Sequence, residues 1–215
     1  MFQGFAPETF DFLWGIRMNN NRDWFLAHKK EYQKCHYEPL RELGGELYEP
    51  FREVPGLNLH VARIYRDTRL HHPDPYKEDL WCSIRRESPF WSEHPSLYFD
   101  ISPEGVSYGF TLWRPKPAAM EAFRRELERD SEGFRRLLQK TEQALGAAVT
   151  AESYKRPKPC GDPNMGPWYH WKSDIGLSLS EDVGENLFTP ELKDRVAAAL
   201  RALLPLHEYF QKITG

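Results

Sequence analysis

The chain has 215 residues, with 29 Lys and Arg against 32 Asp and Glu for a formal charge of −3, and 40% apolar residues, an ordinary water-soluble composition. No apolar run approaches the roughly 20 residues of a membrane helix, and the opening MFQGFAPETF lacks the basic and apolar regions of a secretory signal. Aromatic residues at 14% speak against disorder, because such rings demand burial, and the slight acidity does not favour a general nucleic-acid binder, which gains affinity by neutralising phosphates.

A chain of this length can bury most of its surface around one core, so a single domain over residues 1–215 is expected. Cys35, Cys82 and Cys160 are scattered and odd in number. They form neither a disulfide framework nor the paired spacing of a zinc site, and the simplest compartment is the reducing cytoplasm.

In chain order, a first helix should start near Pro7 and carry the stripe Phe10, Leu13 and Trp14. Asn19, Asn20 and Asn21 should stop it and cap a second helix from about Arg22 to Phe51, kinked or divided at Pro39 and Gly44-Gly45. Strand patterns follow over His60–Arg66 and Leu80–Arg86. The clearest hairpin joins Leu97–Ile101 to Val106–Leu112 through the turn signal Pro103-Glu104-Gly105. Helices return after Pro117, with Ser131 as the expected N-cap of a second stretch. Val149–Tyr154 and Ile175–Leu179 read as strands, and Thr189-Pro190-Glu191 opens a last helix with the stripe Leu192, Val196, Leu200 and Leu203. Strict strand–helix alternation is absent. The expectation is an α+β domain, a mainly antiparallel sheet covered by several helices.

Chemistry concentrates after the first strand, in Arg63-Ile64-Tyr65-Arg66-Asp67-Thr68-Arg69 and on through His71-His72-Pro73-Asp74-Pro75-Tyr76-Lys77. From Arg63 to Arg86, six basic residues face four acids. A strand ending in a prolyl loop rich in Arg and Lys suits a phosphate or carboxylate, because guanidinium forks bind such groups bidentately and Lys adds a point charge. On this reading Arg66, Arg69 and Lys77 hold an anion, Asp67 orients a neighbouring arginine, and Tyr76 with Trp24 forms a wall. The expected ligand is a phosphorylated small molecule or a nucleotide, with nucleic acid left open as a partner and no cofactor required. An Asp beside arginines stays ionised, so Asp67 suits positioning better than proton transfer and no catalytic residue is assigned. Two alternatives stand beside it. One is a non-catalytic interaction module in which these segments are structural locks. The other is a metal-dependent hydrolase using His71, His72 and Asp74, although adjacent histidines on an extended chain point to opposite sides.

These segments also resemble a known family. Asn19-Asn20, Asn21-Arg22-Asp23-Trp24-Phe25, His28-Lys29, Tyr32, Arg66-Asp67-Thr68-Arg69, Pro75-Tyr76-Lys77, Tyr154-Lys155-Arg156-Pro157 and Leu204-Pro205-Leu206 are similar to the conserved-hypothetical group known as domain-of-unknown-function family 2461. The family pattern carries an aromatic residue after RDxR where this chain has Leu70, and a lysine shortly before PYK where it has His71-His72-Pro73-Asp74. The resemblance implies one domain over nearly the whole chain and brings no activity or catalytic residue with it.

Overall fold

Helix α1 (Pro7–Met18) opens on a proline, which loses nothing in a first turn where its amide would have no partner. Thr9 secures this end: its hydroxyl accepts the Ala6 amide at 3.2 Å and donates to the Cys35 carbonyl at 2.5 Å. The buried face is Phe10, Phe12, Leu13 and Ile16, while Trp14 of the expected stripe is 43% exposed. The core runs along the line of Thr9, Phe12, Leu13 and Ile16, so Trp14 falls at its margin, where the Arg17 guanidinium lies over its ring at 5.0 Å.

Asn21 caps α2 (Arg22–Glu31) by accepting the Trp24 amide at 3.0 Å. The helix expected up to Phe51 then changes its hydrogen-bond spacing. It continues as a π-helical segment, Tyr32–Tyr37, then α3 (Glu38–Tyr48), then a 3-10 turn, Glu49–Phe51. Pro39 supplies a reason. In an α-helix the amide of residue 39 would donate to the Cys35 carbonyl, and proline has none. The Thr9 hydroxyl takes that carbonyl instead. His36 on this segment is fully buried near the rings of Phe12 and Tyr32, and burial pushes its imidazole down to about 3, so it is neutral.

The computed structural model describes residues 1–67, 69, 73–156, 158–162 and 165–215. Six strands form an antiparallel sheet in the order β1-β2-β3-β4-β6-β5: β1 (Leu57–Val61), β2 (Leu80–Arg86), β3 (Ser96–Ser102), β4 (Gly105–Leu112), β5 (Thr150–Ser153) and β6 (Trp171–Asp182). With the helices, this is the α+β class that the element order predicts. The chain divides into two compact units. One comprises Met1–Ile84, Tyr98–Tyr108 and Ser180–Ala198; the other comprises Arg85–Leu97, Gly109–Leu179 and Ala199–Gly215.

In the first unit, Leu80, Cys82 and Ile84 of β2 are buried. Gly44 of α3 lies against them, and a Cβ there would meet the Cys82 Sγ and Leu59 at 3.3 Å. Phe5 stacks on Phe99 of β3 at 5.9 Å, and Glu181 of β6 accepts from Tyr108, Asn186 and Arg195. In the second unit, α4 (Pro117–Leu145) is interrupted at Asp130, whose backbone is non-helical. Its carboxylate accepts the Gly133 amide at 2.8 Å, so Asp130 provides the cap that the spacing predicts for Ser131. Phe123 gathers Phe134, Trp171 and Phe210 within 5.9 Å of its ring centre. The short helix α5 (Gly166–Tyr169) brings Trp168 edge-on to Phe134 at 5.4 Å. Helix α6 (Glu191–Thr214) follows Thr189 and Pro190 as expected, with Leu192, Val196, Leu200 and Leu203 buried.

Strands β4 and β6 approach closely at Gly109, where a Cβ would sit 2.0 Å from the Leu177 carbonyl oxygen. Backbone on both sides leaves no room to yield. Gly109→Ala should therefore cost about 2 kcal/mol or more through forced strand separation, read as a melting temperature several degrees lower. An unchanged melting temperature would show that this glycine does not set the strand spacing.

Candidate functional site

Beyond β1 the backbone leaves regular geometry but keeps pairing. The Ala62 amide donates to the Trp81 carbonyl at 2.8 Å, the Lys77 amide to the Ile64 carbonyl at 2.7 Å and the Arg66 amide to the Pro75 carbonyl at 2.9 Å. Tyr65 and Tyr76 form an antiparallel bridge. The RDxR and PYK segments are thus opposite arms of one extended hairpin. Thr68, Leu70, His71 and His72 lie outside the described residues, so of the histidine-based metal reading only Asp74 can be placed. Among the described residues, no group of three or more His, Cys, Asp or Glu could hold a metal ion.

The hairpin is fastened to the helices by Asn20. Its side-chain amide donates to the Tyr76 carbonyl at 2.9 Å, and its side-chain oxygen accepts the Tyr76 amide at 3.0 Å. This double bond to one residue is the pattern of a β-pair, made by a side chain. The Asn run therefore does more than stop and start helices: Asn21 caps, and Asn20 grips the PYK segment. Tyr76 is buried, stacked on Phe25 of α2 at 4.3 Å. Just beyond the PYK segment, Arg17 of α1 bonds Glu78 at 2.9 Å and also pairs with Glu104 in the β3–β4 turn. Trp24 lies elsewhere on the helices. Its ring covers Gly15, is 5.5 Å from Phe12 and stacks on His28 at 4.0 Å, and the His28 ring bonds the Trp24 carbonyl.

Charge on the hairpin is unevenly satisfied. Asp67 accepts from the Arg69 amide, Nε and Nη2 at 3.1, 2.9 and 2.7 Å. Arg69 is 87% exposed, and an ion pair so exposed adds little to stability. Lys77 donates from Nζ to the Arg63 carbonyl at 2.8 Å and lies 5.7 Å over the Trp81 ring. Burial holds its pKa below the usual lysine range, Asp79 works against that, and Arg66 adds to it. Among the described residues, Arg22, Arg63, Arg66 and Lys77 have no carboxylate oxygen within 4.0 Å, although Arg22 is near enough to Tyr76 to act on its hydroxyl. Tyr65 stands 54% exposed beside them, its ring edge on Phe25.

The sequence reading missed a second feature in the same unit. Asp79, just before β2, shares a hydrogen bond between carboxyl groups with Asp100 of β3. Burial first, and then the charge and hydrogen bond of Asp79, push Asp100 up to about 7. Alternation along β3 places Asp100 on the face opposite Leu97, Phe99 and Ile101, which is legible from sequence. Its partner, 21 positions earlier and just before another strand, is not.

The sequence profile of the conserved hypothetical protein family DUF2461 matches residues 8–209, and the chain belongs to that family. No curated protein matches the chain.

Two measurements check this geometry. Asn20→Ala removes both bonds to a part-buried backbone segment and should cost on the order of 2 kcal/mol, seen in urea unfolding; a loss under about 0.5 kcal/mol would mean water replaces the amide without penalty. For Asp100 the sign is that of a carboxyl raised in the folded state. Its penalty is nil below the unfolded carboxyl pKa, grows as pH rises from about 4, and is complete above about 7. Asp100→Asn should therefore equal wild type at pH 3 and gain stability over it across that window, by on the order of 4 kcal/mol at pH 8. A constant difference across pH would show that Asp100 is not held above the ordinary carboxyl range in the folded protein.

Proposed function

We propose that this member of the DUF2461 family binds the phosphate or carboxylate group of a phosphorylated small molecule or nucleotide at the RDxR–PYK hairpin. Arg66 and Lys77 hold the anion, Asp67 holds the Arg69 fork, and Tyr76 serves as the buried backing that fixes Lys77. Trp24 enters only through the helix pair on which Asn20 is mounted. The observation that carries this reading is the pair Arg66 and Lys77. They repel each other, Lys77 is half-desolvated, and neither has a carboxylate within 4.0 Å among the described residues. An anion between them relieves both the repulsion and the desolvation. The reading assigns no reaction.

A specific observation also favours the non-catalytic alternative: the two bonds from Asn20 to Tyr76 make the PYK segment a structural lock. The two readings separate in one experiment. Thermal unfolding is followed in inorganic phosphate, pyrophosphate and citrate at constant ionic strength. Anion binding should raise the wild-type melting temperature, equivalent to about 1.4 kcal/mol at ten times Kd. Arg66→Gln and Lys77→Gln should lose that response while keeping the melting temperature in its absence. An equal response in wild type and both variants, or none in any of them, would remove the anion site and leave the lock.

A further inference from the structure

The second unit carries a surface that the hairpin does not use. The segment between β2 and β3 bears Phe90 and Trp91, and the end of β4 leads into Trp113 and Arg114. The Arg114 amide donates to the Ser92 carbonyl at 2.7 Å, which ties the two together. The Trp91 and Trp113 rings lie 6.0 Å apart with their planes at 33°. Trp113 is 41% exposed and Phe90 62% exposed. Single exposed apolar side chains are ordinary, but Trp91 and Trp113 are paired, and each of the three rings carries a cation. The Arg114 guanidinium is 4.1 Å over Trp113, the Lys116 ammonium 5.6 Å over Phe90 and the Arg85 guanidinium 4.6 Å over Trp91. Lys116 is shared with Glu93 at 3.0 Å, whereas Arg114 has no carboxylate within 4.0 Å among the described residues. Over residues 85–97 and 113–116, the cations Arg85, Arg86, Arg114 and Lys116 outnumber Glu87 and Glu93, in a chain whose overall charge is −3.

We propose that this patch binds single-stranded nucleic acid, with bases stacking on Trp113 and Phe90 and phosphates meeting Arg114 and Lys116. The chemistry selects this partner. Flat exposed rings suit the π-face that every base presents, and the flanking groups are guanidinium and ammonium, which complement phosphates. A sugar platform would pair such rings with carboxylates and amides instead. A duplex keeps its bases stacked on one another and cannot use the rings. The chain's net acidity does not oppose this, because a short contact feels the charge within about 10 Å at 0.1 M salt.

The test uses the full chain and fluorescence anisotropy of end-labelled oligo-dT and oligo-rU, with a duplex of equal length as control. Single strands should bind in preference to the duplex. With two phosphate contacts, the logarithm of affinity should fall against the logarithm of salt concentration with a slope of about −1.4. Phe90→Ala and Trp113→Ala should each weaken binding about tenfold, and Arg114→Gln should flatten the salt slope. Phe90 is largely exposed, so its variant should keep the wild-type melting temperature and remains informative even if the Trp113 variant unfolds. Equal binding of duplex, unaltered binding by Phe90→Ala, no binding at low salt, or capture by phosphatidylserine vesicles but not by oligonucleotides would each overturn the proposal. If Phe90→Ala and Trp113→Ala leave oligonucleotide binding intact while Arg66→Gln and Lys77→Gln abolish it, the hairpin and not this patch is the binding surface.

Discussion

One side-chain amide governs the arrangement of the first unit. Asn20 stands at the junction of α1 and α2 and spends both of its hydrogen-bonding ends on the backbone of Tyr76. Backbone amides and carbonyls in a part-buried segment must be paired or they cost free energy, and this stretch of hairpin lies outside the regular sheet. Asn20 therefore supplies what a neighbouring strand would otherwise supply. With that bond made, Tyr76 can stack on Phe25, the Tyr65–Tyr76 bridge can form, and Lys77 is set with its stem half-buried and its ammonium on the Arg63 carbonyl.

Charged groups in the two units fall into distinct classes. Arg124 is 3% exposed and fully engaged, donating to the Tyr169 and Trp171 carbonyls and to Glu121. Glu181 is equally saturated by Tyr108, Asn186 and Arg195. Such groups hold elements together, since a buried charge left unpaired would be severely destabilising. Arg66, Lys77 and Arg114 differ, as none has a carboxylate oxygen within 4.0 Å among the described residues. Cations that the fold leaves unanswered are where an external anion gains most, and this distinction, rather than the number of basic residues, directs attention to the hairpin and to the Trp113 patch.

Much of the architecture was legible because its causes are local. Period-two alternation in Leu97–Ile101 and Val106–Leu112 became β3 and β4 with the turn between them, and Thr189-Pro190-Glu191 opened α6. The exceptions have causes that lie far away in sequence. The π-helical turn depends on Pro39 lacking an amide and on Thr9 reaching the Cys35 carbonyl from another helix. Asp130 took the cap from Ser131 because the backbone breaks one residue earlier. Trp14 lost its place in the core because the sides of α1 are ranked by what they pack against.

For the site, the sequence by itself determined which residues cluster along the chain: the asparagine run, RDxR, PYK and their excess of positive charge. It also determined the family, whose profile matches residues 8–209. Only the tertiary structure decided what each residue does. It gave Asn20 to Tyr76 across 56 positions, buried Tyr76 and turned Asp67 onto Arg69. It left Arg66 and Lys77 without a carboxylate oxygen within 4.0 Å among the described residues and brought Asp79 to Asp100. The physical reason is that propensity and periodicity report on neighbours within a few residues, whereas pairing, burial and the field at a charged group are set by atoms that folding brings in from elsewhere in the chain.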